Sequence, residues 1–177
     1  METSRQRLHS LRGGDMGKGP VVYWMSREQR VHQNWPLLIA QQRAIELHKP
    51  LQVVFCLELS YPSANLRHFG FMLRGLANLP PELNRHRIGF KLLEGYPPQT
   101  LSSYFDKIQP AIVFTDFDPL RHKQSWLAEL CKNVRMPVLE VDGHNIVPAR
   151  IASDKREYAA WTFRRKIHKF LPRFLTT

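Results

Sequence analysis

Five short, almost wholly apolar segments recur along this chain of 177 residues, and segments with helical periodicity separate them. Strand-length runs without polar alternation are typical of strands that helices cover on both faces. Because each run is followed by enough residues for a crossover helix, the pattern predicts a doubly wound α/β fold with a parallel five-stranded sheet. The predicted strands are residues 21–26, 51–57, 88–93, 111–115 and 138–141.

The intervening segments carry apolar residues at spacings of three and four, which predicts amphipathic helices on both faces of the sheet. Asn34 is the predicted N-cap of the first helix, with Pro36 in its first turn. The predicted inward-facing stripes are Leu37, Ala40, Ala44 and Leu47; Leu66, Phe69, Leu73 and Leu76; Leu101, Tyr104, Phe105 and Ile108; and Leu127, Leu130 and Val134.

Length, composition and missing motifs exclude several classes of protein. A chain of this size builds one medium α/β domain and leaves no room for a second full-size domain. Cys56 and Cys131 lie in apolar stretches, which favours core positions in a reducing compartment over a disulfide or zinc site. Glycine-rich phosphate loops, the GxSxG elbow and HExxH are absent. Without an apolar run near ~20 residues, the chain is expected to be cytoplasmic and away from membranes.

The net charge of +11 is distributed unevenly. Residues 1–20, a predicted flexible basic leader, carry +2, and residues 21–149, the predicted α/β domain, carry +3. Residues 150–177 carry +6 and are predicted to form a basic linker helix, with Ser153 as its N-cap. Such a helix attracts phosphates or simply presents a solvated face, and the second interpretation is favoured. Its basic side chains are Arg164, Arg165, Lys166, Lys169 and Arg173.

The same C-terminal segment contains aromatic side chains, at Trp161, Phe163, Phe170 and Phe174. Aromatic residues interleaved with arginine can stack on nucleic-acid bases, or they can form an apolar stripe that packs on another surface. The second interpretation is favoured, since no predicted strand remains for this helix to cover.

In a doubly wound sheet, ligands bind at the carboxyl ends of the strands, near the point where strand order reverses. Arg27, Glu58 and Asp116 follow or end predicted strands there and could meet around a ligand, although such positions are more often ordinary loop charges or helix caps. Beyond the last strand, Asp142 and His144 could act as an acid and base pair, but a turn-forming role is favoured.

Five motifs follow one another in order after residue 20: VVYWMSREQRVHQNWPLLIAQ (21–41), PLQVVFCL (50–57), RHFGFMLRGL (67–76), VFTDFDPLR (113–121) and EVDGHNIVPARIASDKREYAAWTFRRKI (140–167). In these motifs the chain resembles the N-terminal Rossmann-like α/β domain of the photolyase and cryptochrome superfamily. The resemblance is most specific to class II cyclobutane pyrimidine dimer photolyases. Two positions depart from the pattern of that family: Gly143 stands where alanine is usual, and Trp161 stands where arginine is expected.

The resemblance implies a chromophore site and a function. In that family the N-terminal domain can hold an antenna chromophore, commonly a deazaflavin or a folate, which passes excitation energy to FAD in a C-terminal helical domain. FAD drives the light-dependent repair of UV-damaged DNA. The implied antenna contacts in this sequence are Ser26, Arg27, Phe55, Cys56, Leu57, Glu58, Asp116 and Phe117.

The family's FAD and DNA positions have no counterpart in this sequence, so no catalytic residue is expected in it. The resemblance therefore predicts a truncated or split photolyase that does not split dimers alone and acts on DNA only through the full-length enzyme or a separately encoded helical FAD domain. The alternative is a non-catalytic module, derived from a photolyase, that binds nucleic acid or another protein through the basic C-terminal helix.

Overall fold

The computed structural model describes residues 5–61, 64–155 and 157–175. Within them, six strands form one sheet in the order β1-β6-β5-β2-β3-β4. All neighbouring strands are parallel except β1 and β6, which pair antiparallel. The strands are β1 (Leu8–Arg12), β2 (Val21–Met25), β3 (Leu51–Leu57), β4 (Gly89–Glu94), β5 (Ile112–Asp116) and β6 (Val138–Val141).

Helices lie on both faces of this sheet, as the sequence predicts. Successive residues of β2 point to opposite faces, so that Tyr23 packs with the helices on one side and Trp24 with those on the other. The helices are α1 (Trp35–Glu46), α2 (Leu66–Leu76), α3 (Leu79–Arg85), α4 (Pro97–Ile108), α5 (Arg121–Asn133), α6 (Ala149–Ala152) and α7 (Ala160–Phe174). Apolar side chains of α1, α2 and α3 cover the Tyr23 face, and those of α4 and α5 cover the Trp24 face.

The strand order reverses between β2 and β5. From the central strand β2 the chain proceeds outward to β3 and β4, and then crosses to β5 and β6 on the other side. The connections after β2 and β5 therefore leave the sheet in opposite directions, which opens a crevice at their carboxyl ends. The doubly wound α/β fold is thus confirmed, and its topology predicts where a ligand binds.

The sheet has six strands and not the predicted five, because β1 lies within residues 1–20. Leu8 pairs with Val141 and Ser10 with Leu139, so this part of the predicted flexible leader is an ordered edge strand. Its sequence, LHSLR, mixes polar and apolar residues, as suits an antiparallel edge strand that is only partly covered. The continuous apolar runs that identified the other strands are absent from it.

The cap of α1 is confirmed, since the Asn34 side chain accepts a hydrogen bond from the backbone N–H of Leu37 at 2.8 Å. The stripe predicted for α2 is only partly right. Leu66 is 89% exposed, and the residues that pack on the core are Phe69, Met72 and Leu76. Of the predicted stripe, Leu66 and Leu73 therefore face outward, and Met72, which was not predicted, faces the core.

The start of the last helix was also predicted wrongly. Ser153 is the C-cap of α6, and α7 begins at Ala160. The Ser153 hydroxyl donates to Glu157 at 2.7 Å, and the Lys166 ammonium donates to the same carboxylate oxygen at 2.6 Å. These bonds lower the pKa of Glu157 to about 2, with Lys166 as the largest cause. Residues 153–155 and 157–159, which precede α7, are therefore not helical, and side-chain bonds hold Ser153 and Glu157 to this helix.

The aromatic residues of α7 divide between its two sides. Phe174 is buried with Val147 and Ala152, and Phe163 and Phe170 pack against the same small cluster. Trp161, in contrast, faces outward and is 64% exposed. Most of the predicted apolar stripe thus packs on the α6 region of this chain.

Arg7, just before β1, connects the two ends of the described chain. Its guanidinium is buried and donates hydrogen bonds of 2.7 to 2.9 Å to the backbone carbonyls of Asp142, Asn145 and Ile146. The guanidinium carbon also lies 4.8 Å from the centre of the Trp35 ring and 5.7 Å from that of Phe174. One side chain therefore holds the loop after β6 against α1 and α7.

The Arg7→Ala variant is expected to lower the free energy of unfolding by about 2–4 kcal/mol, because three carbonyls lose a charged hydrogen-bond donor. Urea denaturation measures this loss. The matched control is Arg5→Ala, which removes an exposed arginine from the same segment and should cost less than about 0.5 kcal/mol. Equal stability of the two variants would contradict the role assigned to Arg7.

Candidate ligand-binding site

A cavity of about 1060 Å³ lies at the carboxyl ends of β2 and β3, between α2 and α5. Its volume lies just above the range of about 300–1,000 Å³ that is typical of small-molecule sites. Ser26, Arg27 and the end of β3 form its floor, while the loop after β5 contributes Asp118. The cavity therefore occupies the place that the strand order predicts.

One wall of the cavity is aromatic and carries a partly buried cation, Lys123. The rings of Tyr61 and Trp126 meet edge to face with their centres 6.2 Å apart, and His122 forms a 2.9 Å hydrogen bond with the Tyr61 hydroxyl. The Lys123 ammonium lies 4.5 Å from the centre of the Trp126 ring and 5.4 Å from that of Tyr61. This wall can contact a flat, electron-rich ring.

Burial lowers the pKa of the Lys123 ammonium, and the nearby carboxylates of Asp118 and Asp116 oppose that shift. A cation that has lost part of its hydration gains most from an anionic or strongly polar ligand group. Lys123 thus provides the cavity with a point of attraction for a negatively charged or oxygen-rich group.

The opposite wall, formed by α2, is open and mostly apolar, with His68 and Arg74 as its polar members. Phe69, Met72 and Phe71 line it, and Phe71 is 84% exposed. A large aromatic side chain that is exposed inside a concave site typically contacts a ligand there. The α2 wall therefore favours an occupant with a substantial apolar face.

The floor of the cavity is fixed by the buried carboxylate of Asp116, at the end of β5. One oxygen accepts from the Tyr23 hydroxyl at 2.6 Å. The other accepts from the backbone N–H groups of Ser26, Arg27 and Glu28 at 2.8, 2.6 and 3.1 Å. Burial, followed by the charge of Asp116, raises the pKa of Tyr23 well above its ordinary value, so the hydroxyl remains a donor.

Five of the eight predicted site residues line the cavity: Ser26, Arg27, Cys56, Leu57 and Glu58. The remaining three lie elsewhere. Phe55 is in the core on the Tyr23 face of the sheet and does not line the cavity. The Asp116 carboxylate is occupied by the bonds just described, and Phe117 lines a separate cavity of about 170 Å³ beside β6.

Three of the predicted side chains play parts that the sequence did not show. The Arg27 guanidinium donates to the Phe117 carbonyl at 3.3 Å, and Glu58 accepts from the backbone N–H of Ser60 at 2.7 Å. In the described residues, Arg27, Glu58 and Asp116 form no ion pair with one another. Burial raises the pKa of Cys56 to about 12, so its thiol is a wall group and not a nucleophile.

The suggested pair of Asp142 and His144 does not form. Asp142 accepts hydrogen bonds from the Asn145 side chain and from the backbone N–H of Ala149, as the favoured turn-forming interpretation predicts. His144 instead lies 3.1 Å from a carboxylate oxygen of the buried Glu28. Position 143, between Asp142 and His144, requires glycine, since an added Cβ would clash with the Pro36 ring at 2.7 Å.

Sequence reasoning missed the walls of the cavity, which include Tyr61 in the loop after β3, Phe71 in α2, and Lys123 and Trp126 in α5. Lys123 and Trp126 are three residues apart near the start of α5, and therefore share a face next to the end of β5. That spacing could have identified them. In the described residues there is no cluster of metal-ligating side chains, and none of their helices has the length and apolar character of a membrane span.

The family model for DNA photolyase matches residues 21–177. The chain belongs to the DNA photolyase family. It is 45% identical over 157 residues to the deoxyribodipyrimidine photo-lyase of Potorous tridactylus, covering 88% of this chain and 30% of the relative. The enzyme of the same name from Arabidopsis thaliana is 40% identical, with 91% and 33% covered, and that from Methanothermobacter thermautotrophicus is 37% identical, with 96% and 38% covered.

This photolyase-family chain therefore spans about a third of the length of the curated relatives it matches. Among solved structures it resembles a cryptochrome from Synechocystis sp. PCC6803, with a TM-score of 0.71 and 15% identity. That match covers 86% of this chain and 34% of the cryptochrome. It confirms the Rossmann-like fold of the N-terminal photolyase and cryptochrome domain.

The Asp116→Asn variant of this photolyase domain is expected to lose about 2–4 kcal/mol of unfolding free energy, because an amide NH₂ replaces an acceptor of backbone N–H groups. Tyr23→Phe is the matched control, since it removes one donor to the same carboxylate and should cost about 1 kcal/mol. Urea denaturation measures both. A smaller loss in Asp116→Asn than in Tyr23→Phe would show that this carboxylate does not hold the floor of the cavity.

Proposed function

We propose that this chain is the antenna-chromophore domain of a class II cyclobutane pyrimidine dimer photolyase. The observation that carries the proposal is the cavity between α2 and α5, which lies at the ligand-binding edge of a photolyase-family fold and has an aromatic wall with a partly buried cation. Its occupant would be a deazaflavin or a folate.

The residues present fit such a chromophore. Deazaflavins and folates each join a flat heterocycle to a longer polar chain, and the cavity offers surfaces for both parts. Tyr61, Trp126 and Phe71 supply aromatic surface, whereas Lys123 and Arg27 supply hydrogen-bond donors with positive charge. The bound chromophore would supply absorption of near-ultraviolet or blue light and transfer of that excitation.

The protein's own contribution is to hold the chromophore in a fixed orientation. Asp116 fixes the backbone of residues 26–28, and the Tyr61 hydrogen bond to His122 fixes the aromatic wall. Energy transfer depends on the orientation of the donor, so a rigid floor and wall are suited to an antenna. The apolar side chains of α2 would cover part of one side of the ring.

The class II assignment rests on the ordered motifs of the sequence, of which EVDGHNIVPARIASDKREYAAWTFRRKI is the longest. The light-driven repair reaction, with FAD as cofactor and UV-damaged DNA as substrate, would belong to the full-length family enzyme. In that enzyme the present domain would collect light and pass the energy to the flavin.

Reconstitution tests the antenna role. The purified chain is mixed with a hydroxylated deazaflavin or with a methenyl-folate, passed through a desalting column and examined for bound near-ultraviolet or blue absorption. Retention of either chromophore at a stoichiometry near one is the expected result. A folded chain that retains neither would exclude the antenna role.

A pair of glycine variants locates the binding site. Gly75 lines the cavity and Gly70 does not, although both lie in α2 and a Cβ at either would meet no atom within 4 Å. Gly75→Phe should fill the cavity and weaken chromophore binding at least about tenfold, as steric exclusion of a ring requires, while Gly70→Phe should bind normally. Equal affinities, measured by fluorescence titration, would place the chromophore elsewhere.

A further inference from the structure

The outward side of α7 carries a continuous row of basic residues. Exposed positions recur at spacings of three and four through the helix, while the opposite side packs on the α6 region. We call this row the α7 stripe; it consists of Trp161, Arg164, Arg165, His168, Lys169 and Arg173. The stripe lies outside the chromophore cavity, whose lining includes no residue of α7.

No carboxylate balances this charge within the helix. Residues Ala160–Phe174 contain five lysines and arginines and no aspartate or glutamate. Lys166 is only partly exposed and pairs with Glu157 at 2.6 Å, whereas the side chains of Arg164, Arg165, Lys169 and Arg173 are exposed. The stripe is therefore a local source of positive potential on a chain whose residues 21–149 are nearly balanced.

An aromatic ring lies at the start of the stripe. Trp161 is 64% exposed, and the guanidinium carbon of Arg165 lies 5.2 Å from the centre of its ring. A ring beside an arginine is the combination with which proteins stack on the bases of single-stranded nucleic acids. From Trp161 to Arg173 the helix rises about 18 Å, enough for several backbone phosphates.

A membrane surface is a poorer partner for the same helix. Helices that lie on membranes insert an apolar face, whereas the apolar face of α7, with Phe163, Phe170 and Phe174, is occupied by Val147 and Ala152. What remains exposed is cationic with one aromatic ring, which complements a polyanion that also offers flat bases.

We propose that the α7 stripe binds single-stranded nucleic acid without regard to sequence or damage, through its four cations and the Trp161 ring. This contact is independent of the chromophore site and of any recognition of lesions by the full-length enzyme. It adds a nucleic-acid surface to the light-harvesting domain itself.

Fluorescence anisotropy of a labelled thymidine oligonucleotide, titrated with the full chain, measures the contact. Four phosphate contacts predict that affinity falls about fiftyfold between about 50 and 200 mM salt, from a slope near −0.7 for each contact on a single strand. A thymine dimer in the oligonucleotide should not change the affinity. Absence of binding at low salt, or dependence of binding on the dimer, would overturn the proposal.

Two variants that lose the same charge test whether the α7 stripe is the surface that binds the oligonucleotide. Replacing Arg164, Arg165, Lys169 and Arg173 with glutamine should weaken binding more than tenfold. The control replaces four exposed basic residues on other elements with glutamine, at Arg67, Arg85, Lys91 and Lys107, and should change affinity much less. Circular dichroism verifies that both variants are folded. Equal losses in the two variants would show a diffuse charge effect and would contradict the stripe.

Trp161 supplies a second, independent readout. Trp161→Ala should weaken binding about fivefold or more, which is the lower end of the range for base stacking, and Trp161→Phe should restore most of it. Vesicles containing an anionic phospholipid should not compete with the oligonucleotide at equal charge concentration. Unchanged affinity in Trp161→Ala, or full displacement by vesicles, would argue against a nucleic-acid stripe.

Discussion

The carboxylate of Asp116 is buried where the strand order of the sheet reverses. The hydrogen bonds that stabilise its negative charge also determine the geometry of the ligand-binding edge. The carboxylate accepts from the Tyr23 hydroxyl within the core and from three successive backbone N–H groups in the loop after β2. A buried carboxylate without such donors would be strongly unfavourable. The same bonds that satisfy the charge therefore fix the floor on which a chromophore would rest.

The sequence predicted the sheet well where burial on both faces leaves a continuous apolar run, and residues 51–57 and 138–141 match β3 and β6 to the residue. It failed for β1, because an edge strand covered on one side lacks that signal. Strand topology also predicted that Arg27 and Glu58 lie at the candidate site, and the family resemblance added Cys56. The walls were missed, since the face of α2 and α5 that lines a cavity is decided by helix packing, as the outward position of Leu66 illustrates.

The two ends of the described chain meet through Arg7, which contacts the loop after β6, Trp35 of α1 and Phe174 of α7. As a result, α7 is held against the domain by its apolar side and presents its basic side outward. The unexpected tryptophan at position 161 lies on that outward side. Packing in the core therefore does not restrict the side chain at position 161, whereas at position 143 it favours glycine, since an added Cβ would lie 2.7 Å from Pro36.

The assignment of the cavity between α2 and α5 as a chromophore site is tested most directly by a crystal structure of the full chain grown with a deazaflavin. We expect electron density for the flat ring inside the cavity bounded by Phe71, Lys123 and Trp126, with the loop of residues 26–28 unmoved. Ordered chromophore density at any other place, with this cavity filled only by water, would contradict it.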